Sequence, residues 1–197
     1  MPPAATLRTR GYLPHWEQDN ATYFVTFRLA DSLPRDFVDR LQRQRRRTAA
    51  AQRAGTATPA DLKDLRLLLR KTERSLDAGR GDAFMMNPRV AKIVFESVIH
   101  FNDHRYRLYA VCVMPNHVHV VFSPIATCTL ASILHSWKSH TAHAANLVLS
   151  RRGHFWQREY FDHLVRNGES FARIVRYVAE NPERAGLHNW PWVWPSA

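Results

Sequence analysis

The stretch Met114-Pro115-Asn116-His117-Val118-His119-Val120-Val121-Phe122 constrains this chain more than any other. Side chains two positions apart on a strand point to the same face. Val118, Val120 and Phe122 therefore form an apolar face that demands a core, while His117 and His119 stand side by side on the other. Pro115-Asn116 suits the corners of a tight turn, since proline presets the backbone of the first corner and asparagine tolerates the second. Before the turn, Arg105 to Met114 (RYRLYAVCVM) reads as a buried strand, so the two runs form an antiparallel pair. Two imidazoles held together by a stiff backbone are a ready ligand pair for a divalent metal. The same pattern also admits two ordinary histidines on a strand.

Other segments fall around this pair. Ala21 to Leu29 (ATYFVTFRL) reads as a strand with bulk on both faces, hence a central one. Residues 36–79 carry leucines at helical spacing, with a break from Gly55 to Pro59 and a helix start at Thr58-Pro59 with Asp61, which predicts an inserted helical hairpin. Asn87-Pro88 opens a helix whose apolar face is Val90, Ile93, Val94 and Val98. A long helix over Leu130 to Ser150 carries Leu130, Ile133, Leu134 and Trp137 on one face. Arg151 to Phe161 is a basic, aromatic short strand or extended turn. The last helix, Gly168 to Asn181, turns Phe171, Ile174, Val175 and Val178 inward, and Pro182 is expected to stop it. Residues 1–20 read as an irregular basic arm containing Arg8, Arg10, Tyr12, Pro14, His15 and Trp16, and residues 186–197 as an aromatic tail that packs down. This order predicts a single α+β domain over residues 1–197 with an antiparallel sheet, helices covering one face and the other left for a ligand.

Tyr177 sits at the edge of the last helix's apolar stripe, and Asn181 follows one turn later on the same side. A boundary phenol and a terminating asparagine fit this placement, and so does a pair of functional groups facing a site. The formal net charge is +11, and Lys63, Lys71, Lys92 and Lys138 are the only lysines. A field of that sign attracts polyanions, and arginine forks suit phosphates and stack on bases. The run Arg43 to Arg47 fits either a DNA contact or a solvated helix face. Cys112 and Cys128 form no disulfide framework, and neither a signal segment nor a membrane span is visible. The expected location is cytoplasmic and nucleoid-associated.

The segments MPNHVHVVF, KSHTA, FWQREYFDHLVRN and RYVAENPERAGL resemble those of single-tyrosine HUH transposases, most closely the REP-associated tyrosine transposases. The leading stretch YLPHWEQDNATYFVTFRLADSLP is similar as well, so the likeness runs from about Tyr12 to Trp192 with the hairpin as its variable part. The resemblance implies a ferredoxin-like sheet with the histidines on a strand and the tyrosine on a helix opposite. His117, His119 and Asn181 would hold a divalent ion, Mg2+ or Mn2+. Tyr177 would attack a phosphodiester to give a covalent 5′-phosphotyrosine and a free 3′-hydroxyl. Single-stranded or hairpin DNA of the repetitive extragenic palindrome type is the implied substrate, taken by a monomer or homodimer. Lys138, Arg151, Arg152, Trp156, Arg158, Arg166 and Arg173 are the expected DNA contacts, with Trp156 equally suited to a core. One departure stands at positions 179 and 180, where many relatives place a histidine and this chain has Ala179-Glu180, leaving Glu180 as a ligand or an unrelated acid. Three other readings remain: a relaxase or replication initiator with the same chemistry, a DNA-binding protein without catalysis, and a small-molecule metallohydrolase.

Overall fold

A computed structural model describes residues 6–10, 13–17, 21–79, 81–125 and 127–195, with the backbone alone at 6–17 and 195. Tyr12 and the side chains of Arg8, Arg10, Pro14, His15 and Trp16 lie outside the described residues. The arm expected to be irregular contains an antiparallel pair, β1 (Thr6–Arg10) and β2 (Leu13–Glu17), separated by two residues. Pro14 hides this in the sequence by lowering strand preference, yet a two-stranded ribbon consists only of edges, where proline is tolerated.

Next come β3 (Thr22–Arg28), the hairpin helices α1 (Arg35–Arg53) and α2 (Pro59–Asp77), and α3 (Pro88–Ile99). They are followed by β4 (Tyr106–Val113), β5 (His117–Pro124), α4 (Leu130–Val148), β6 (Phe161–Val165), α5 (Gly168–Arg184) and β7 (Val193–Pro195). The main sheet is antiparallel throughout, in the order β6-β3-β5-β4-β7. Without β7 this is the order of a ferredoxin-like fold, and α+β is the fold class as expected. Local chemistry starts each helix. Thr58 and Asp61 close a capping box on α2, Asn87 Oδ1 accepts the Arg89 N–H on α3, and Thr129 with Ser132 caps α4. Among the described residues no helix is long and apolar enough to cross a membrane.

One sheet face carries Tyr23, Val25, Phe27, Val111, Val113, Val118, Val120 and Phe122, packed against Val90, Val94 and Val98 of α3 and Ile133, Leu134 and Trp137 of α4. At its centre the Trp137 indole N–H donates to the Tyr106 hydroxyl at 3.0 Å, which donates to the Val98 carbonyl at 2.7 Å. The other face, expected to stand free for a ligand, is crossed by α5. Phe24, Ala110, Cys112, Met114 and Val121 pack there with Val178. Strand β3 is paired on both sides, by β5 and β6, with buried residues on both faces, and so is the interior strand foreseen.

Two segments differ from expectation, and a third follows it. Helix α5 does not stop before Pro182 but runs to Arg184 with the proline inside. Proline's push on its predecessor is a preference, and here the end is closed from beyond. The Leu187 N–H donates to the Pro182 carbonyl at 2.8 Å and the Gly186 N–H to Glu183 at 3.0 Å, with Gly186 left-handed at φ 77. The segment from Arg151 to Tyr160 is irregular apart from a bridge between Leu29 and Trp156, and the strand lies beyond it as β6. The half-buried edge β6 has neither clean alternation nor a continuous apolar run, which hid it. The aromatic tail does pack down: β7 extends the sheet beside β4, and the Trp190 indole donates to the Val113 carbonyl at 2.7 Å.

Tyr106→Phe should keep the volume but leave the Trp137 indole and the Val98 carbonyl without their shared partner. A loss of about 1–3 kcal/mol in urea unfolding is expected. Unchanged stability would mean the buried hydroxyl chain contributes nothing.

Candidate functional site

The site is built on β5. Its register with β3 sets His119 opposite Thr26 and His117 opposite Arg28. Both imidazoles are buried, on the α5 side of the sheet, and their Nε2 atoms lie 3.0 Å apart. Each ring is anchored through its other nitrogen, His117 Nδ1 to Asn116 Oδ1 at 2.7 Å and His119 Nδ1 to Thr26 Oγ1 at 2.8 Å. The carboxamide oxygen can only accept, so His117 carries its proton on Nδ1 and its Nε2 presents a lone pair toward His119 Nε2. Such anchoring of the outward nitrogen is the usual companion of a metal-ligating histidine. Burial lowers the His119 pKa to about 3 and holds His117 well below 6.5, with His119 adding to the effect on His117. Both rings are thus neutral at physiological pH, the state that ligates metal.

Oxygen atoms gather around the pair. Asp77, the last residue of α2, sets Oδ1 3.9 Å from His117 Nε2. Asp77, His117 and His119 offer donor atoms that all lie within 4.8 Å of one another. Tyr177 stacks edge-on against His119 at 5.5 Å and Phe24 at 6.0 Å between ring centroids. The Tyr177 hydroxyl, Asn181 Oδ1 and Asp77 Oδ1 are all buried without a hydrogen-bond partner. Buried polar atoms are nearly always paired, so three oxygens without a well-formed hydrogen bond beside two facing imidazole nitrogens fit a hard or borderline cation. Burial pushes the Tyr177 phenol up, and the Glu73 and Asp77 carboxylates add to this. Arg184, whose guanidinium lies 5.5 Å from the Tyr177 ring centre, and Asn181 pull the other way.

The expected DNA contacts divide. Arg152, Arg158, Arg166 and Arg173 are exposed. Arg151 is half-buried, its guanidinium 4.4 Å over the Phe84 ring. Trp156 is corrected to a core residue: it is 6% exposed, packs edge-on against Phe27 at 4.9 Å and donates its indole N–H to Thr141 at 2.9 Å. Its phase in an irregular segment gave no sign of which way it faced. Lys138 donates to the Gln157 and Arg158 carbonyls at 2.7 Å each and so holds the basic segment against α4. Beside this segment runs a groove lined by Arg35, His135, Lys138, His154 and Arg158. An adjoining cavity of about 70 Å³, lined by Arg28, Arg45 and Tyr160, reaches Thr26 beneath the histidines. Glu180 is exposed and outside the donor cluster. Sequence reading missed Asp77, because one acid at a helix end carries no signal of its own. Thr26 and Asn116 were legible only as strand and turn residues.

Residues 85–181 match the model of the IS200-like transposase family. Among solved structures the chain is similar to a REP-associated tyrosine transposase bound to a REP hairpin, with 16% identity, 94% of this chain and 80% of the other covered, and a TM-score of 0.53. That likeness concerns the fold. A putative transposase from Deinococcus radiodurans R1 is similar at 12% identity, covering 88% of this chain and 96% of the other, with a TM-score of 0.34. No curated protein matches the chain.

The unfolded chain takes up histidine protons near pH 6.5, whereas the folded metal-free chain resists them until far lower pH. The stabilisation present above pH 6.5 is therefore lost as pH falls toward 3. Between pH 7 and 5 the loss should be about 2 kcal/mol per histidine. Urea unfolding of the metal-free protein beside a His117→Gln/His119→Gln variant checks this, and equal pH slopes in the two would contradict it.

Proposed function

We propose that this chain, which belongs through residues 85–181 to the IS200-like transposase family, nicks and rejoins single-stranded DNA through Tyr177. The observation that carries this reading is the Tyr177 hydroxyl, buried beside His119 and Asn181 among donor atoms that make no well-formed hydrogen bond. An oxygen left in that state suits a contact that a substrate completes.

The chain's own residues supply most of the chemistry. Asn116 and Thr26 fix the rings of His117 and His119, which with Asn181 would hold Mg2+ or Mn2+. When bound, the ion would supply positive charge to polarise the scissile phosphate and favour the phenolate. The Tyr177 oxygen attacks phosphorus, a tyrosine–phosphate ester forms at the 5′ end and the bond to the 3′ oxygen breaks. The phenol proton is balanced by the one gained at the released 3′-hydroxyl. Ester exchange stores the bond energy, so a second strand can be joined without a nucleotide cofactor.

For DNA, the exposed Arg152, Arg158, Arg166 and Arg173 offer phosphate contacts, with the groove beside Arg35 and His154 as the track for a strand. Hairpin DNA is the favoured substrate form, supported by the REP hairpin held by the similar transposase. Such a DNA-processing role fits a cytoplasmic, nucleoid-associated protein.

Tyr177→Phe should fold normally, bind hairpin oligonucleotides and yield neither cleavage nor a covalent adduct, as read on a denaturing gel and by mass spectrometry of the trapped peptide. Adduct formation by the variant, or mapping of the adduct to Tyr160, would overturn the assignment. Tyr160 is half-buried against the core and a poorer candidate.

Affinity for single strands should fall steeply with salt. Each of Arg152→Ala and Arg158→Ala should flatten the log–log slope by about 0.7 if it removes one phosphate contact. Unchanged slopes would take these two arginines out of the interface.

A further inference from the structure

The inserted hairpin ends at the histidines, and nothing in the family match covers it, since that match begins at residue 85. Resting on the metal reading above, we propose that Asp77 is a further, anionic protein ligand of the divalent ion beside His117, His119 and Asn181, which makes the hairpin α1–α2 part of the metal centre.

Distances support one coordination sphere. Ligands about 2.1 Å from an octahedral ion stand about 3.0 Å apart when adjacent and about 4.2 Å apart when opposite. The two Nε2 atoms are 3.0 Å apart and Asp77 Oδ1 is 3.9 Å from His117 Nε2, values that lie within this range. Charge points the same way. Two neutral imidazoles offset none of the ion's charge, and hard ions such as Mg2+ and Mn2+ seek anionic oxygen. Asp77 is the one acid that forms a cluster with both histidines among the described residues. The side chain of Asp77 is 36% exposed, yet its Oδ1, the oxygen turned to His117, is buried and unpaired.

The placement of Asp77 is fixed by the end of its helix. Leu68 and Leu76 are buried and seat α2. The Gly79 N–H donates to the Leu76 carbonyl at 2.9 Å with the glycine left-handed at φ 66, so the chain turns away two residues after the carboxylate. Glu180 is displaced from this role by its exposure on α5.

Mn2+ binding to the DNA-free, full-length chain tests this without any catalytic readout. Free Mn2+ is followed by electron paramagnetic resonance, and hydrogen exchange is followed at residues 73–79. Asp77→Asn should raise the Mn2+ Kd at least about tenfold, whereas Asp64→Asn, which removes an exposed carboxylate from the same helix, should not. Mn2+ should slow exchange at 73–79 in the natural chain and not in Asp77→Asn. Should Asp77→Asn melt early, Asp77→Glu restores the charge and must bind Mn2+ more tightly than Asp77→Asn. Equal affinity in the natural chain and Asp77→Asn, with binding lost in His117→Ala/His119→Ala, would overturn the role of Asp77 alone. Equal affinity in all three would overturn the metal reading with it.

Discussion

Two imidazole nitrogens 3.0 Å apart in a buried site are the constraint on which the rest of this structure depends. They meet only because β5 is clamped on both sides, by β3 in one register and β4 in the other. A slip of one residue would turn His117 and His119 into the apolar core and bring Val118 and Val120 to the site. That slip is prevented by the depth of burial on both faces, where every residue from His117 to Phe122 is buried. Rigidity of the strand sets the spacing, and hydrogen bonds from Asn116 and Thr26 set the ring orientation. Desolvation keeps the rings neutral, so the same core that fixes the geometry also fixes the protonation state.

Elements from two distant parts of the chain answer this pair. Helix α5 crosses the sheet face through Val178, which leaves Tyr177 at the margin of its apolar stripe and over His119. Asn181 is held in helical conformation through Pro182 because Gly186 and Leu187 close the helix end from beyond. From the other direction α2 brings Asp77. The cost of this arrangement is visible in three oxygen atoms left without hydrogen bonds, and in a phenol whose proton is held more tightly than usual by burial and nearby carboxylates. A cation among these atoms would reverse both effects.

Legibility in the sequence follows periodicity. Alternation in β3 and β5, helical spacing in α2 through α5, and the caps at Thr58 and Asn87 were open to reading because each is a local pattern with a local cause. The histidine pair was readable for the same reason, whereas spacing put Tyr177 and Asn181 on one side of their helix and only the family resemblance gave them a role. What escaped depends on distant packing. Trp156 turned inward because Phe27 and Thr141 await it. Lys138 was drawn to backbone carbonyls of the basic segment. Asp77 meets His117 across 40 positions of chain, and its own neighbourhood, rich in charged helix residues, gives no hint of that contact.

The central claim is that His117 and His119 form one half of a metal centre facing Tyr177. Crystals of the protein grown or soaked with Mn2+ and measured at the manganese absorption edge would test it most directly. The account predicts a single strong anomalous peak within about 2.3 Å of both Nε2 atoms, on the Tyr177 side of the sheet. A map with no peak between the histidines, or with manganese only at exposed carboxylates, would contradict it.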